Sequence, residues 1–177
     1  MKTRFVFDAT PLIHLAKAGL APMIVALDGE KYTVPAVFDE VVTKGMELDY
    51  SDALGTASLV ERGVLKVKAP QRKTTDALVR LHKDVHAGET EVIVLAKEMN
   101  ATAVIDDRVA RTVAKIEGVR VEGSYGLILR AAARGSISSE EAEAALGRLV
   151  ASGWRCDAEL YAALIRSLSE ISERRTT

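Results

Sequence analysis

Acidic side chains in this sequence follow two apolar runs that have the composition of β-strands. Asp8 comes directly after the run FVF at 5–7, and Asp106 and Asp107 come directly after the run AVI at 103–105. Ligands of open parallel sheets gather beyond the carboxyl ends of the strands. We therefore expect these three carboxylates to lie at one edge of a sheet, where they can act together.

Three further acids stand where helices are predicted to begin after strands. Glu40 lies in VPAVFDEVV, and Glu89 and Glu91 lie in HAGETEVIVLA. Mg²⁺ and Mn²⁺ are hard cations that bind carboxylate oxygens from distant parts of a chain, with water in the remaining positions. Together with the strand-end aspartates, these glutamates predict a divalent-cation site.

Helix capping is the competing explanation for each acid taken singly. A carboxylate in the first turn of a helix gains about 0.3–1 kcal/mol from the helix dipole, without any further role. Asp8 fits that explanation least well, because Thr10 followed by Pro11 is the better predicted N-cap. A carboxylate at the end of an apolar strand is also partly desolvated, which is costly unless it is paired or bound to a metal.

Composition excludes several classes of protein. The 177 residues are 48% hydrophobic and 28% charged, which predicts one globular domain. A formal charge of −1 lacks the global positive field of a non-specific nucleic-acid coat. The single Cys156 predicts a reducing compartment, and hence the cytoplasm. We expect neither a signal peptide nor a membrane span, because charged residues interrupt the apolar runs.

Five β-rich runs alternate with helical patterns, which predicts βαβ units and a parallel sheet covered on both faces. The expected fold class is α/β, a three-layer α/β/α sandwich with a central parallel sheet and C-terminal helices. The five runs are RFVFD, KYTVP, VLKVKAP, ATAVID and VRVEG.

The β-rich runs cease after about residue 135. Ser138 and Glu141 have the spacing of a capping box at the start of one helix, and a second amphipathic helix follows it. We predict an α/β domain at 1–135 and a helical extension at 136–177 that packs on the same domain.

Four acidic motifs, taken in order, resemble those of the PIN-domain family, which includes the toxin ribonucleases of VapBC pairs. The GETE and DDRVAR forms are similar to a little-characterised prokaryotic branch. The resemblance covers roughly residues 4–130 and implies a metal-dependent ribonuclease that hydrolyses single-stranded RNA with Mg²⁺ or Mn²⁺. The motifs are VFDATPLIHLAK, VPAVFDEVV, HAGETEVIVLAKEM and AVIDDRVAR.

The resemblance assigns the first acid to Asp8, with the Thr10 hydroxyl beside it, and the second acid to Glu40. The third is Glu89 or Glu91, which point in different directions on a helix. Helical phase slightly favours Glu91.

The fourth acid is Asp106 or Asp107, and either is able to serve as a metal ligand. The predicted catalytic residues are Asp8, Glu40, Glu91 and Asp106. Most family members have a threonine before this aspartate and an aromatic residue after it, whereas this chain has Ile105 and Val109 nearby. That departure bears on the type of substrate more than on the fold.

Substrate contacts are predicted from the basic residues beside the acids. Arg108 and Arg111 follow the acidic pair and are candidates to hold a phosphate, although Arg111 is also one turn from Asp107 and able to pair with it. Aromatic residues make up only 5% of the chain, so stacking platforms for bases are few. The three histidines, at positions 14, 82 and 86, have no partner evident in the sequence and are not required for metal-assisted hydrolysis.

The resemblance also implies a homodimer, or a small antitoxin-like protein partner that covers the site. Whether such a protein is a toxin, an RNA-processing enzyme or an orphan stays open. One alternative is another metal-dependent phosphohydrolase with Asp8 as nucleophile, but that class usually has a second aspartate where this chain has Thr10. The other is a non-catalytic PIN-like binding protein.

Overall fold

Five short strands form one parallel sheet in the computed structural model, which describes residues 3–176, without the side chains of residues 51, 175 and 176. The strand order is β3-β2-β1-β4-β5, and every neighbouring pair is parallel. All five strands predicted from the sequence are present. Their bounds are β1 Arg4–Phe7, β2 Glu30–Thr33, β3 Leu65–Val67, β4 Thr102–Val104 and β5 Arg120–Glu122.

The central position of β1 brings the ends of two acidic motifs together. Phe7 is in register with Val104 of β4, and the backbone N–H of Asp8 donates to the Val104 carbonyl at 3.0 Å. The residues that follow these two strands therefore leave the sheet side by side. This register places Asp8 and Asp106 at the same edge of the sheet.

Helices cover both faces of this sheet. Consecutive residues of β1 and β4 are buried, as expected for strands enclosed on both sides. This arrangement is the predicted α/β/α sandwich. The helices before the C-terminal region are α1 Ala9–Lys17, α2 Ala21–Ala26, α3 Pro35–Phe38, α4 Lys44–Glu47, α5 Ser51–Glu61, α6 Arg72–Leu81, α7 Ala87–Glu98, α8 Arg108–Ile116 and α9 Ser124–Ala133.

The first helix begins earlier than the sequence predicts. Asp8, not Thr10, occupies the N-cap position of α1, and Thr10 is already helical. Pro11 is tolerated in this first turn because its missing N–H would have no partner within the helix. Left-handed residues follow two of the helices, since Gly19 has φ 68° after α1 and Asn100 has φ 49° after α7.

Two helices follow the α/β portion: α10 Ser139–Ala151 and α11 Ala158–Thr176. The predicted capping box starts α10, where the N–H of Glu141 donates to Ser138 Oγ at 3.1 Å and the N–H of Ser138 donates to Glu141 Oε2 at 2.7 Å. Both helices pack on α9. Their buried side chains, Leu149, Trp154, Leu164 and Leu168 among them, belong to the same core as the sheet. None of the helices in the described part of the chain is long and apolar enough to span a membrane.

Truncation after Gly153 is expected to destabilise the protein. It removes Trp154 and α11, and with them buried side chains that individually contribute about 2–5 kcal/mol when truncated in a core. The melting temperature should fall, and the exposed face of α9 should lower solubility or change the oligomeric state. Thermal melting and sedimentation velocity measure both. Truncation after Arg174 is the control and should behave as full-length protein. Equal melting temperatures for all three proteins would show that α11 contributes nothing to the fold.

Candidate functional site

Asp8 is the most deeply buried acid among the candidate residues. It ends the central strand, and its side chain is only 3% exposed. The pKa of this carboxyl is raised from 3.8 to about 7, chiefly by burial and in addition by the negative charges of Glu89, Glu40 and Asp106, while the N–H of Ala9 acts in the opposite direction. A bound cation would relieve the electrostatic repulsion between Asp8 and the carboxylates around it.

Asp8 lies at the base of a cleft of about 450 Å³, which we call the acidic cleft. Its walls come from the starts of three helices that follow strands or loops at the same edge of the sheet. The functional side chains that line it are Asp8, Thr10, Glu40, Lys44 and Glu89. The structure therefore brings three of the four predicted acidic motifs into one cavity.

Glu40 reaches the acidic cleft from a single π-helical turn, Asp39–Thr43, inserted between α3 and α4. Such a turn contains one more residue than an α-helical turn and is often found at functional sites. Its neighbour Asp39 faces the same cleft and lies 3.6 Å from Lys44 Nζ. Sequence periodicity did not predict this turn, because Asp39 and Glu40 sit in an unbroken helical pattern.

Glu89, and not Glu91, lines the acidic cleft. Glu89 Oε2 accepts from the N–H of His86 at 2.9 Å and so closes the first turn of α7. Burial raises its pKa, with the charges of Asp107 and Glu40 in support. Glu91 Oε2 instead accepts from the N–H of Ala36 at 3.5 Å, at the start of α3. The preference for Glu91 drawn from helical phase is therefore not supported by the geometry.

Asp106 and Asp107 each have a defined hydrogen-bond partner. Asp106 Oδ1 accepts from the N–H of Ser124 at 2.8 Å, and Oδ2 accepts from Ser124 Oγ at 2.6 Å. Asp107 Oδ1 accepts from the N–H of Ala110 at 2.9 Å and caps α8. Both carboxylates line a second cleft, of about 430 Å³, which meets the acidic cleft at Thr10.

Ser124 and Gly123 support the site and were missed in the sequence. Ser124 is fully buried and holds both oxygens of Asp106. A Cβ on Gly123 would lie 2.5 Å from Arg111 Nη1 and 3.1 Å from Asp106 Oδ1, so glycine permits their close approach. The sequence did contain a signal for them, because the pair Gly123-Ser124 directly follows β5 and therefore lies at the same edge of the sheet as the acids.

The sequence suggested that Arg111 pairs with the Asp107 carboxylate, but in the structure its side chain has other partners. Its Nη1 donates to the Ile105 carbonyl at 3.3 Å, its Nη2 donates to Tyr125 Oη at 3.2 Å, and its guanidinium lies 5.6 Å from the centre of the Tyr125 ring. Arg111 therefore helps to fix the backbone that leads into Asp106. Arg108 is exposed beside both acids and lines the second cleft.

Two histidines for which the sequence showed no partner have one in the structure. His14 Nδ1 lies 3.1 Å from Ser152 Oγ, and His82 Nε2 lies 3.3 Å from Glu117 Oε1. His14 also lines the second cleft, where burial lowers its pKa and the charge of Asp106 opposes that shift. His86 is the N-cap residue of α7 at the rim of the acidic cleft.

Comparison with known proteins assigns this arrangement to a family. A family model described as a PIN domain matches residues 4–170. The chain belongs to the PIN-domain family. No curated protein matches the sequence. The family match includes the C-terminal helices and so extends well past the four acidic motifs. PIN domains are generally nucleases and typically use divalent metals.

The side chains of this PIN domain fit a hydrated divalent ion better than a closed protein cage. Within residues 3–176, no three acidic, histidine or cysteine side chains are close enough together to hold one ion by themselves. Mg²⁺ commonly binds through one or two carboxylates and keeps several waters. The carboxylates that line the acidic cleft, and the raised pKa of Asp8, suit an ion of that type.

Replacing Asp8 by asparagine should stabilise the metal-free protein at high pH. The folded state holds the Asp8 proton up to about pH 7, whereas an ordinary aspartate releases it near 3.8. The free energy of unfolding of the wild type therefore falls by up to about 4 kcal/mol as pH rises through this window. The Asp8→Asn variant has no proton to lose at this position and does not show this fall. Urea unfolding with chelator at about pH 4 and about pH 8 should show a gap between the variant and the wild type at the higher pH alone.

Asp76→Asn, an exposed substitution on α6, is the matched control and should track the wild type at both pH values. Saturating Mg²⁺ or Mn²⁺ should then stabilise the wild type more than Asp8→Asn, by about 2.7 kcal/mol at 100 times the dissociation constant for an ion that binds only the folded state. Wild type and Asp8→Asn with the same stability at the higher pH would refute the strain assigned to Asp8.

Proposed function

We propose that this protein is a Mg²⁺- or Mn²⁺-dependent ribonuclease that hydrolyses phosphodiester bonds in single-stranded RNA. The observation that supports this most directly is the convergence of Asp8, Glu40 and Glu89 on one cleft in a PIN domain. Asp106 and Asp107 lie in the adjoining cleft and contribute negative charge to the same region.

The chain's own residues have distinct parts in this reaction. A bound divalent ion supplies Lewis acidity, which polarises the phosphate and acidifies water. Among Asp8, Glu40 and Glu89, one or two carboxylates would hold the ion directly and the others would act through its bound waters, and Asp8 must lose its proton to bind it. Asp106, fixed by Ser124, contributes a carboxylate whose position does not depend on the ion.

Phosphate binding is best assigned to the basic side chains at the rim. Arg108 is exposed next to Asp106 and Asp107 in the second cleft, and Lys44 lines the acidic cleft. Arg111 has its donors directed to Ile105 and Tyr125, so we assign it a positioning role. The Thr10 hydroxyl stands where the two clefts meet and would orient substrate or water.

The proposal includes a VapC-like toxin role in the cytoplasm, with a homodimer or an antitoxin-like partner. This part of the proposal rests on the motif resemblance. One surface supports a protein contact close to the site. Met46, Leu48, Tyr50 and Leu54 are 46%, 62%, 53% and 63% exposed, and they follow directly after Lys44 of the acidic cleft. Exposed apolar clusters of this kind commonly mark interaction surfaces.

Asp8→Asn should abolish cleavage of single-stranded RNA without unfolding the protein. Loss of a ligand charge is expected to slow the reaction by more than about 100-fold, beyond the effect of removing a supporting hydrogen bond. A labelled RNA incubated with Mg²⁺ or Mn²⁺ and resolved on a denaturing gel gives the rate. Asp76→Asn is the control. Equal cleavage rates for the wild type and Asp8→Asn would refute the assignment of this site. Release of phosphate from monoesters without RNA cleavage would favour the phosphohydrolase alternative.

Glu89→Gln should impair cleavage much more than Glu91→Gln. Both glutamines keep an oxygen to accept the hydrogen bonds from His86 and Ala36, so each change removes a charge and leaves the local contact intact. Only Glu89 faces the acidic cleft. Rates and metal titrations of the matched pair give the comparison. A larger defect in Glu91→Gln would return the third ligand to Glu91.

A further inference from the structure

We propose that the segment 152–157, between α10 and α11, forms one wall of a groove that binds the backbone of single-stranded RNA, with Arg155 as its principal phosphate contact. This inference rests on the proposed ribonuclease function, and it assigns to the C-terminal helices a role in binding substrate as well as in stability.

The groove is built from two adjoining clefts of about 430 and 420 Å³. Both are lined by Asp106, Arg108, Trp154 and Arg155. The first opens at Thr10 onto the acidic cleft, and the second continues along α8 to Lys115. One continuous surface therefore leads away from the acids, and we call it the basic groove.

The basic groove carries three cationic side chains that form no ion pair within the described chain. Arg108, Lys115 and Arg155 are exposed, and their side chains have no hydrogen bond or ion pair with any other described residue. Other arginines of this chain are paired, for example Arg130 with Glu122 at 2.7 Å and Arg134 with Asp28 at 2.8 Å.

Three acids also line the groove, and each is already used within the fold. Asp106 accepts from Ser124, Asp107 accepts from the N–H of Ala110, and Asp157 lies at the far end. Asp157 Oδ1 accepts from the N–H of Leu160 at 2.7 Å, at the first turn of α11. Its carboxylate is directed into a helix N-terminus, where the helix dipole stabilises it. Arg155 is left available for an external anion.

The segment that carries Arg155 is anchored on both sides. Trp154 is 6% exposed, and its ring centre lies 5.7 Å from that of Tyr125 on α9. Ser152 Oγ donates to the Leu149 carbonyl at 2.6 Å, so its oxygen is free to accept from His14 Nδ1 at 3.1 Å. These contacts hold the segment against α1 and α9. The backbone that leads into Arg155 is therefore already positioned before a phosphate binds.

The shape and chemistry of the groove favour a single nucleic-acid strand. Each half has the volume of a small-ligand pocket and is therefore too small to enclose a duplex. Its cations are spread along the groove rather than gathered in one pocket, as a polyanion requires. Trp154 is buried and the Tyr125 ring is engaged by Arg111, so contacts to the backbone are favoured over base stacking.

Arg155→Gln should weaken RNA binding at least about 10-fold at low salt and reduce the slope of log affinity against log salt by about 1. Binding is measured by fluorescence anisotropy with full-length protein, a short labelled oligouridine and chelator, so that cleavage does not interfere. Arg62→Gln is the matched control, because this exposed arginine lies between α5 and β3, at the amino edge of the sheet. Lys115→Gln is the second variant, and thermal melting checks that each protein is folded.

The outcomes separate the groove from the proposed function. If Arg155→Gln and Lys115→Gln both bind as the wild type does, or if the wild type binds no RNA at low salt, the groove assignment is overturned. If a duplex RNA of the same length binds as tightly as the oligouridine, the single-strand assignment is overturned. If the predicted losses are seen but added Mg²⁺ or Mn²⁺ produces no cleavage, the groove stands and the ribonuclease function fails.

Discussion

The burial of one carboxylate at the end of the central strand determines much of this structure. Asp8 follows β1, which lies between β2 and β4, and hydrogen bonding to β4 fixes its backbone. Its side chain is removed from water, and the nearest charges that affect it are also negative. The fold therefore holds an unfavourable electrostatic arrangement that its hydrophobic core must offset. Functional sites often retain such conflicts because the ligand resolves them.

Capping and chemistry are not exclusive roles for the other acids. Glu89 closes the first turn of α7 and also faces the acidic cleft, and Asp107 caps α8 while it raises the pKa of Glu89. The capping bonds fix each carboxylate before any ion arrives. In the same way, Ser124 holds Asp106 from the far side. From the sequence, helix capping is an alternative to a metal-site role for these acids. In the structure, the same capping hydrogen bonds position the carboxylates beside the clefts.

The sequence was sufficient to predict the sheet, and to predict that Asp8, Asp106 and Asp107 follow the ends of strands, because both depend on local composition. It was insufficient wherever a rotation or a distant partner decides the outcome. Successive helical residues differ by about 100°, so a small error at a helix start exchanges Glu89 for Glu91. The cap of α1 shifted from Thr10 to Asp8 for a similar reason. Ser124 and the partners of Arg111 follow from tertiary contacts that no local pattern contains.

The C-terminal helices link stability to the surface beside the acids. Trp154 completes the core against Tyr125, and Arg155, the next residue, is exposed on the basic groove. Alternation of a buried and an exposed side chain lets one short segment serve both purposes. Tyr125 is in turn the hydrogen-bond partner of Arg111, which contacts the carbonyl of Ile105 immediately before Asp106. A chain of direct contacts therefore runs from the segment between α10 and α11 to the acidic pair, so the geometry of the site depends on a part of the chain that lies outside the sheet.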